Sequence, residues 1–138
     1  MFAGDSHGVK GSLIFISKLI FSMTKSSLKI RVTNGNLIAM GPGKADLLEA
    51  IDTSGSISAA AKQMGMSYRR AWELVDMMNK SFKQPLVSSS PGGQHGGGAQ
   101  LTEFGYLILK TYRDLVVKAA IATNAEFELI NAYLNLPE

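Results

Sequence analysis

The chain has 138 residues, no cysteine, 46% hydrophobic and 18% charged side chains, and a formal charge of +3 from 14 basic and 11 acidic residues. That length suits one domain with a small appendage, and the apolar fraction suffices for a packed core. The absence of cysteine excludes disulfides, thiolate zinc sites and a cysteine nucleophile, and the two histidines, His7 and His95, lie too far apart among glycines to build a metal cage. The charge is uneven. Residues 1–43 carry five basic groups against one acid, residues 44–82 carry five of each, and residues 103–138 carry three basic groups against five acids. Any role in nucleic-acid binding therefore rests on local placement, not on bulk charge.

Residues 1–22 contain one apolar run, Leu13 to Phe21, interrupted by Lys18. It is shorter than the roughly 20 residues a spanning helix needs, and no small-residue cleavage site follows it, so neither a membrane span nor a signal peptide is expected. The segment reads as an N-terminal extension: either a non-native or misassigned start, with Met23 opening the protein, or an extra element that docks on the domain or a partner. The domain proper is expected over 23–138.

Ser27 to Val32 alternates polar and apolar residues, and Asn34-Gly35 separates it from Asn36-Leu37-Ile38-Ala39-Met40. This predicts a β-hairpin with Asn-Gly at the centre of a type I′ turn. Gly41-Pro42-Gly43 breaks the chain, and Lys44 to Asp52 reads as a short helix burying Leu47, Leu48 and Ile51. A second helix runs from Ile57 to Met64 with Ile57, Ala60, Ala61 and Met64 on one face, and Gly65 stops it. A third starts at Met66 or Ser67 and reaches about Lys80, burying Ala71, Leu74, Val75 and Met78. Trp72 lies close to that inner face and reads as packing, and Met64, Met66, Met77 and Met78 read as core filler.

Pro85 to Ser88 and Ala99 to Thr102 are two short strands around a tip in which five of the chain's 14 glycines fall between 92 and 98. Thr102 is a suitable N-cap, with Glu103 in the first turn, for a long helix over 103–135. Phe104, Leu107, Ile108, Thr111, Leu115, Ala119, Ala122, Phe127, Ile130 and Leu134 approximate one stripe. A helix of about 30 residues would be about 45 Å long, more than a small domain can cover. The surplus is solvated, kinked or paired with another chain.

Residues 57–80 have helix-turn-helix spacing. Ala61 is the small residue where two helices cross, and Gly65, four residues later, supplies a turn that tolerates positive φ. Ala71 and Leu74 face inward on the second helix, leaving Ser67, Tyr68, Arg69, Arg70 and Glu73 on its outer face. A major groove admits such a helix, its N-terminal residues read base edges, and arginine suits guanine or phosphate through its planar fork. The hairpin over 85–102 then becomes a wing. Spacing of this kind also arises in helical domains that bind no DNA, and Arg69-Arg70 alone can be a merely solvated face. The glycine run lacks the order and terminal lysine of a phosphate loop, and Ser58, Ser67 and Glu73 have no nearby histidine with which to form a hydrolase set.

Several separated motifs occur in order: Gly41-Pro42-Gly43-Lys44, Leu47-Leu48-Glu49-Ala50-Ile51, Gly55-Ser56-Ile57-Ser58, Ala60-Ala61-Lys62, Gly65-Met66-Ser67-Tyr68, Ala71-Trp72, the wing glycines ending in Ala99, and Leu101-Thr102-Glu103-Phe104-Gly105. Over about residues 28–120 they resemble the N-terminal DNA-binding domain of ModE-type, molybdate-responsive transcription regulators, and more distantly the winged helix of LysR-type regulators. The resemblance implies a winged helix-turn-helix that dimerises through its helices, including the long one after the wing. It places DNA contacts at Ser67, Tyr68, Arg69 and Arg70, a backbone contact at Lys62, and wing-tip contacts at Gln94 and His95. Family members continue into a separate molybdate-binding domain that residues up to Glu138 do not hold, so direct molybdate binding by this chain is not expected.

The expectation is a mainly α protein with small β elements: a winged helix-turn-helix with an N-terminal β-hairpin and a long C-terminal dimerisation helix. It would be a cytoplasmic homodimer that binds double-stranded DNA through Lys62, Ser67, Tyr68, Arg69, Arg70, Glu73, Gln94 and His95. Phe104, Ile108, Leu115, Ala119, Phe127 and Ile130 would form the dimer seam. No enzymatic activity, cofactor or metal is expected. The rival reading is a protein–protein interaction module built on the same helices.

Overall fold

The computed structural model describes residues 27–90 and 98–135. Residues 1–22 and the wing-tip pair Gln94 and His95 lie outside them. The chain divides into two compact units. One is Lys29–Tyr112; the described part of the other is Ser27, Leu28 and residues 113–135.

The first unit opens with the hairpin of β1 (Val32–Asn34) and β2 (Leu37–Met40), antiparallel with Thr33 opposite Ile38 and Asn34 opposite Leu37. The loop is Gly35-Asn36, not Asn34-Gly35, and only Gly35 has positive φ, at 61°. A type I′ turn needs positive φ at both central residues, so the expected turn does not form; glycine at the first position alone is the sign pattern of type II′. Residues 27–31 add no strand. The Ile30 carbonyl instead accepts a hydrogen bond from the Tyr112 hydroxyl at 2.7 Å.

Helix α1 (Pro42–Ser54) starts two residues before the expected Lys44, because Pro42 occupies the first helical position, where its missing N–H costs nothing. It buries Leu47, Leu48 and Ile51 completely. Each such side chain removed from water contributes about 1.5–3 kcal/mol. Helices α2 (Ile57–Gln63) and α3 (Tyr68–Ser81) follow, then β3 (Val87–Ser89) and β4 (Ala99–Leu101), paired antiparallel with Ser88 opposite Gln100. Ala71, Val75 and Met78 of α3 and Leu86 ahead of β3 complete the core, while Leu74 and Met64 are half-buried. This is a winged helix-turn-helix, mostly helical, with two small antiparallel hairpins.

The helix expected over 103–135 is two helices, α4 (Glu103–Ala122) and α5 (Asn124–Ala132), meeting at Thr123. The helical ladder is kept on both sides, with Thr123 N–H donating to Ala119 O at 3.0 Å and Phe127 N–H to Thr123 O at 2.9 Å. The Thr123 hydroxyl also donates to Ala119 O at 2.7 Å, the back-bonding that bends helices at Ser and Thr. Thr102 caps α4 as expected, its Oγ1 accepting from Gly105 N–H at 2.9 Å and donating to Pro85 O at 2.8 Å. The residues of α4 that bury are Gly105, Leu109 and Tyr112, not the stripe through Phe104 and Ile108. No helix among the described residues is long and apolar enough to cross a membrane.

Candidate nucleic-acid interface

The helix-turn-helix is set by three local devices. Ser56 caps α2, its hydroxyl accepting from Ala59 N–H at 3.0 Å. The α2–α3 turn is a Schellman closure, with Met66 N–H bonding Ala61 O at 3.0 Å and Gly65 N–H bonding Lys62 O at 3.2 Å, around Gly65 at φ +66°. Ser67 then caps α3, accepting from Arg70 N–H at 3.1 Å. Ala60, Ala61 and Ala71 are buried, which lets α2 and α3 pack closely.

With Ala71, Val75 and Met78 inward, the first turns of α3 present Tyr68, Arg69, Arg70 and Glu73 to solvent, and Lys62 is exposed on α2. The Arg69 side chain is 90% exposed and is steadied by an i,i+4 ion pair from its Nε to Glu73 at 3.2 Å. Ser67 sits at the same end but spends its acceptor capacity on the cap. A second i,i+4 pair joins Lys80 to Asp76 at 2.8 Å.

The wing is fastened to this helix. Asn79, near the C-terminal end of α3, accepts from the N–H groups of Leu86 and Val87 at 2.8 and 3.1 Å and donates to Val87 O at 3.1 Å. On the other strand, Ala99 N–H donates to Gly55 O at 2.8 Å, in the turn between α1 and α2. Helix face and wing therefore hold a fixed relation.

Two residues behave differently from the sequence reading. Trp72, expected at the inner face, is 49% exposed, because it projects from the flank of α3 towards β3. Lys44 is buried on α1, its amine donating to Ile38 O and lying 3.3 Å from Met77 Sδ. Burial, and secondarily the charge of Arg70, hold its ammonium below the usual 10.5. Its position at i, ahead of Leu47, Leu48 and Ile51 at i+3, i+4 and i+7, was the available signal. Asn79 was likewise signalled by a polar residue four after Val75 on a buried stripe. Among the residues expected at a dimer seam, Leu115 and Ile130 are exposed, Ile108, Ala119 and Phe127 are half-buried, and Phe104 packs edge-on to Phe82 with ring centroids 6.3 Å apart.

A capped helix with an outward arginine-bearing face, locked to a hairpin wing, defines a winged helix-turn-helix. Residues 44–106 match the bacterial regulatory helix-turn-helix proteins of the LysR family, and this segment is a LysR-type helix-turn-helix domain. The surrounding chain is similar to the molybdenum transport protein ModE of Azotobacter vinelandii, with 41% identity over 93 residues, 67% of this chain and 34% of that protein. It is 47% identical over 73 residues to the molybdenum-pterin-binding protein MopB of Rhodobacter capsulatus, covering 53% of this chain and 27% of that one. It is 42% identical over 71 residues to the DNA-binding transcriptional dual regulator ModE of Escherichia coli K12, covering 51% and 27%. The chain thus spans about a third or less of the length of these relatives.

Proposed function

We propose that this chain is a sequence-specific DNA-binding transcriptional regulator that acts in the cytoplasm as a homodimer, without catalytic activity. The observation that carries the reading is the exposed Tyr68-Arg69-Arg70 face at the capped start of α3, in a domain of the LysR helix-turn-helix type. The name of the Escherichia coli relative, a DNA-binding transcriptional dual regulator, supports it. In this reading α3 enters the major groove, Arg69 and Arg70 contact bases or phosphates, and Tyr68, Ser67 and Glu73 line the same face. Lys62 and the wing, with Gln94 and His95 at its tip, position the backbone. Two copies joined through α4 and α5 would read half-sites one DNA turn, or a multiple of it, apart. Exposed Leu115 and Ile130 support that pairing.

We assign no molybdate site to the described residues. Lys62, Arg69 and Arg70 face solvent, and the buried cation Lys44 is already engaged by Ile38 O and Met77. Saturable heat on titrating the protein with molybdate would overturn that assignment. The test of DNA binding is a gel shift on duplexes selected from a random pool. Arg69→Ala with Arg70→Ala should abolish specific binding while the fold is retained, and the wild type should lose affinity steeply as salt rises. Unchanged affinity in the double variant would remove those residues from the interface. A chain that binds no duplex would be a protein–protein module instead.

A further inference from the structure

Trp72 is the chain's single tryptophan, and it is half in solvent. A large indole left exposed on a helix needs a reason, since aromatic side chains dominate both core and interface energetics. Its surroundings give one. Trp72, Ile57 of α2, Asp76 and Asn79 of α3, and Val87 and Ser89 of β3 line a shallow pocket of about 180 Å³. That is smaller than the roughly 300–1,000 Å³ of small-molecule sites, so a free effector does not fit it well. Two of its polar groups are already paired. Asn79 is spent on the Leu86 and Val87 backbone, and the Asp76 carboxylate is paired with the exposed Lys80 at 2.8 Å. The apolar part of the lining is the indole with Ile57, Val75 and Val87, beside the exposed Ser89.

The pocket is continuous with the basic face. Trp72 lies one helical turn after Tyr68 and three residues after Arg69, on the wing side of α3. Resting on the DNA-binding reading above, we propose that Trp72 is a DNA-contacting residue whose indole packs against the apolar face of one nucleotide, a thymine methyl or a deoxyribose, in the gap between α3 and the wing. Ser89 sits where its hydroxyl donates to the adjoining phosphate. This contact is additional to the charged contacts of Arg69 and Arg70, and it makes part of the affinity insensitive to salt.

Because Trp72 is the only tryptophan, its fluorescence reports on this site alone. The experiment titrates the full chain with a duplex it has enriched from a random pool, reading binding by anisotropy of a labelled duplex and Trp72 by acrylamide quenching. On saturation Trp72 should become protected, and Trp72→Ala should weaken binding about tenfold, equal to about 1.4 kcal/mol of lost apolar contact. Trp72→Phe should recover most of that loss, which separates the contact from any damage to the fold. Replacing each thymine by deoxyuridine distinguishes the two sources. A loss equal to that of Trp72→Ala, absent in the Trp72→Ala protein, identifies the methyl; no loss identifies the sugar. No duplex binding by the wild type would overturn the DNA-binding reading and this inference with it. Duplex binding with Trp72 quenching unchanged and Trp72→Ala within about twofold of wild type would overturn this inference alone. Protection that grows with protein concentration in the absence of DNA would assign the surface to a second copy and also overturn it.

Discussion

Gly105 is the residue on which the joint between wing and long helix depends. A Cβ built there would lie 2.1 Å from Leu86 O and 3.0 Å from Leu86 C, a backbone that cannot move aside because Leu86 is buried and its carbonyl accepts from Thr102 N–H. Gly105→Ala should therefore destabilise the domain by about 3 kcal/mol or more, an effect of overpacking against rigid backbone. Urea unfolding of the variant beside the wild type measures it, and a change within experimental error would mean that the helix and Leu86 can separate freely. Lys44 gives a prediction in pH. Its pKa in the fold lies below 10.5, so between those two values the unfolded chain binds more protons and stability rises as pH increases through that window. Tyr106 works in the opposite sense higher up. The hydrogen bond to Asp52, then desolvation, raise its pKa above 10.0, so stability it brings is lost as pH climbs past that value. Urea midpoints taken at increasing pH below the usual 10.5 should thus rise in the wild type and stay flatter in Lys44→Met. Parallel curves for the two proteins would contradict the burial of Lys44 as a charged group.

At the scale of elements, each helix of the motif is bounded by a device written in its own sequence: Ser56, Gly65 and Ser67. Ser67 has two roles that substitutions can separate. Ser67→Ala removes the cap and should cost about 1 kcal/mol of stability. Ser67→Asp keeps a capping oxygen at the positive end of the helix and should retain stability, yet it sets a carboxylate where phosphates are proposed to pass. Thermal melts should therefore group Ser67→Asp with the wild type, while anisotropy should group it with the weak binders. Wild-type DNA affinity in Ser67→Asp would place that helix end away from the duplex. The elements themselves were largely legible, because caps, glycine stops and apolar spacing act within a few residues. The differences arose where a partner elsewhere in the chain decides. The first hairpin loop shifted by one residue, to Gly35-Asn36, and Ile30 gave its carbonyl to Tyr112, 82 residues away, instead of to a strand.

For the whole molecule the proposed assembly is the feature to test. Leu115 is 40% and Ile130 59% exposed, and burying such side chains against a second copy is the proposed use of α4 and α5. Leu115→Asp with Ile130→Asp should yield a monomer by sedimentation equilibrium, with the melting of Lys29–Tyr112 little changed. A double variant that sediments as the wild type does would put the interface elsewhere. Specific DNA binding should weaken in the monomer as well, because two half-sites would no longer be engaged together.

The opening composition, with no cysteine, two isolated histidines and a modest +3, bounded the kind of chemistry and left recognition as the reading. By itself the sequence also determined the helix-turn-helix, the turn at Gly65, the Thr102 cap and the outward Tyr68-Arg69-Arg70 face. These follow from short-range hydrogen bonding and from periodicity along one helix. Only the tertiary structure decided that Trp72 stands in solvent beside the wing, that Lys44 is buried beneath the hairpin, that Asn79 holds β3, and that α4 buries Gly105, Leu109 and Tyr112. Residues step about 100° around a helix, so a side chain at the edge of an apolar stripe can fall to either side of the boundary. Which side it takes depends on what packs there, and those partners, Val87, Ile38 and Leu86, come from other parts of the chain.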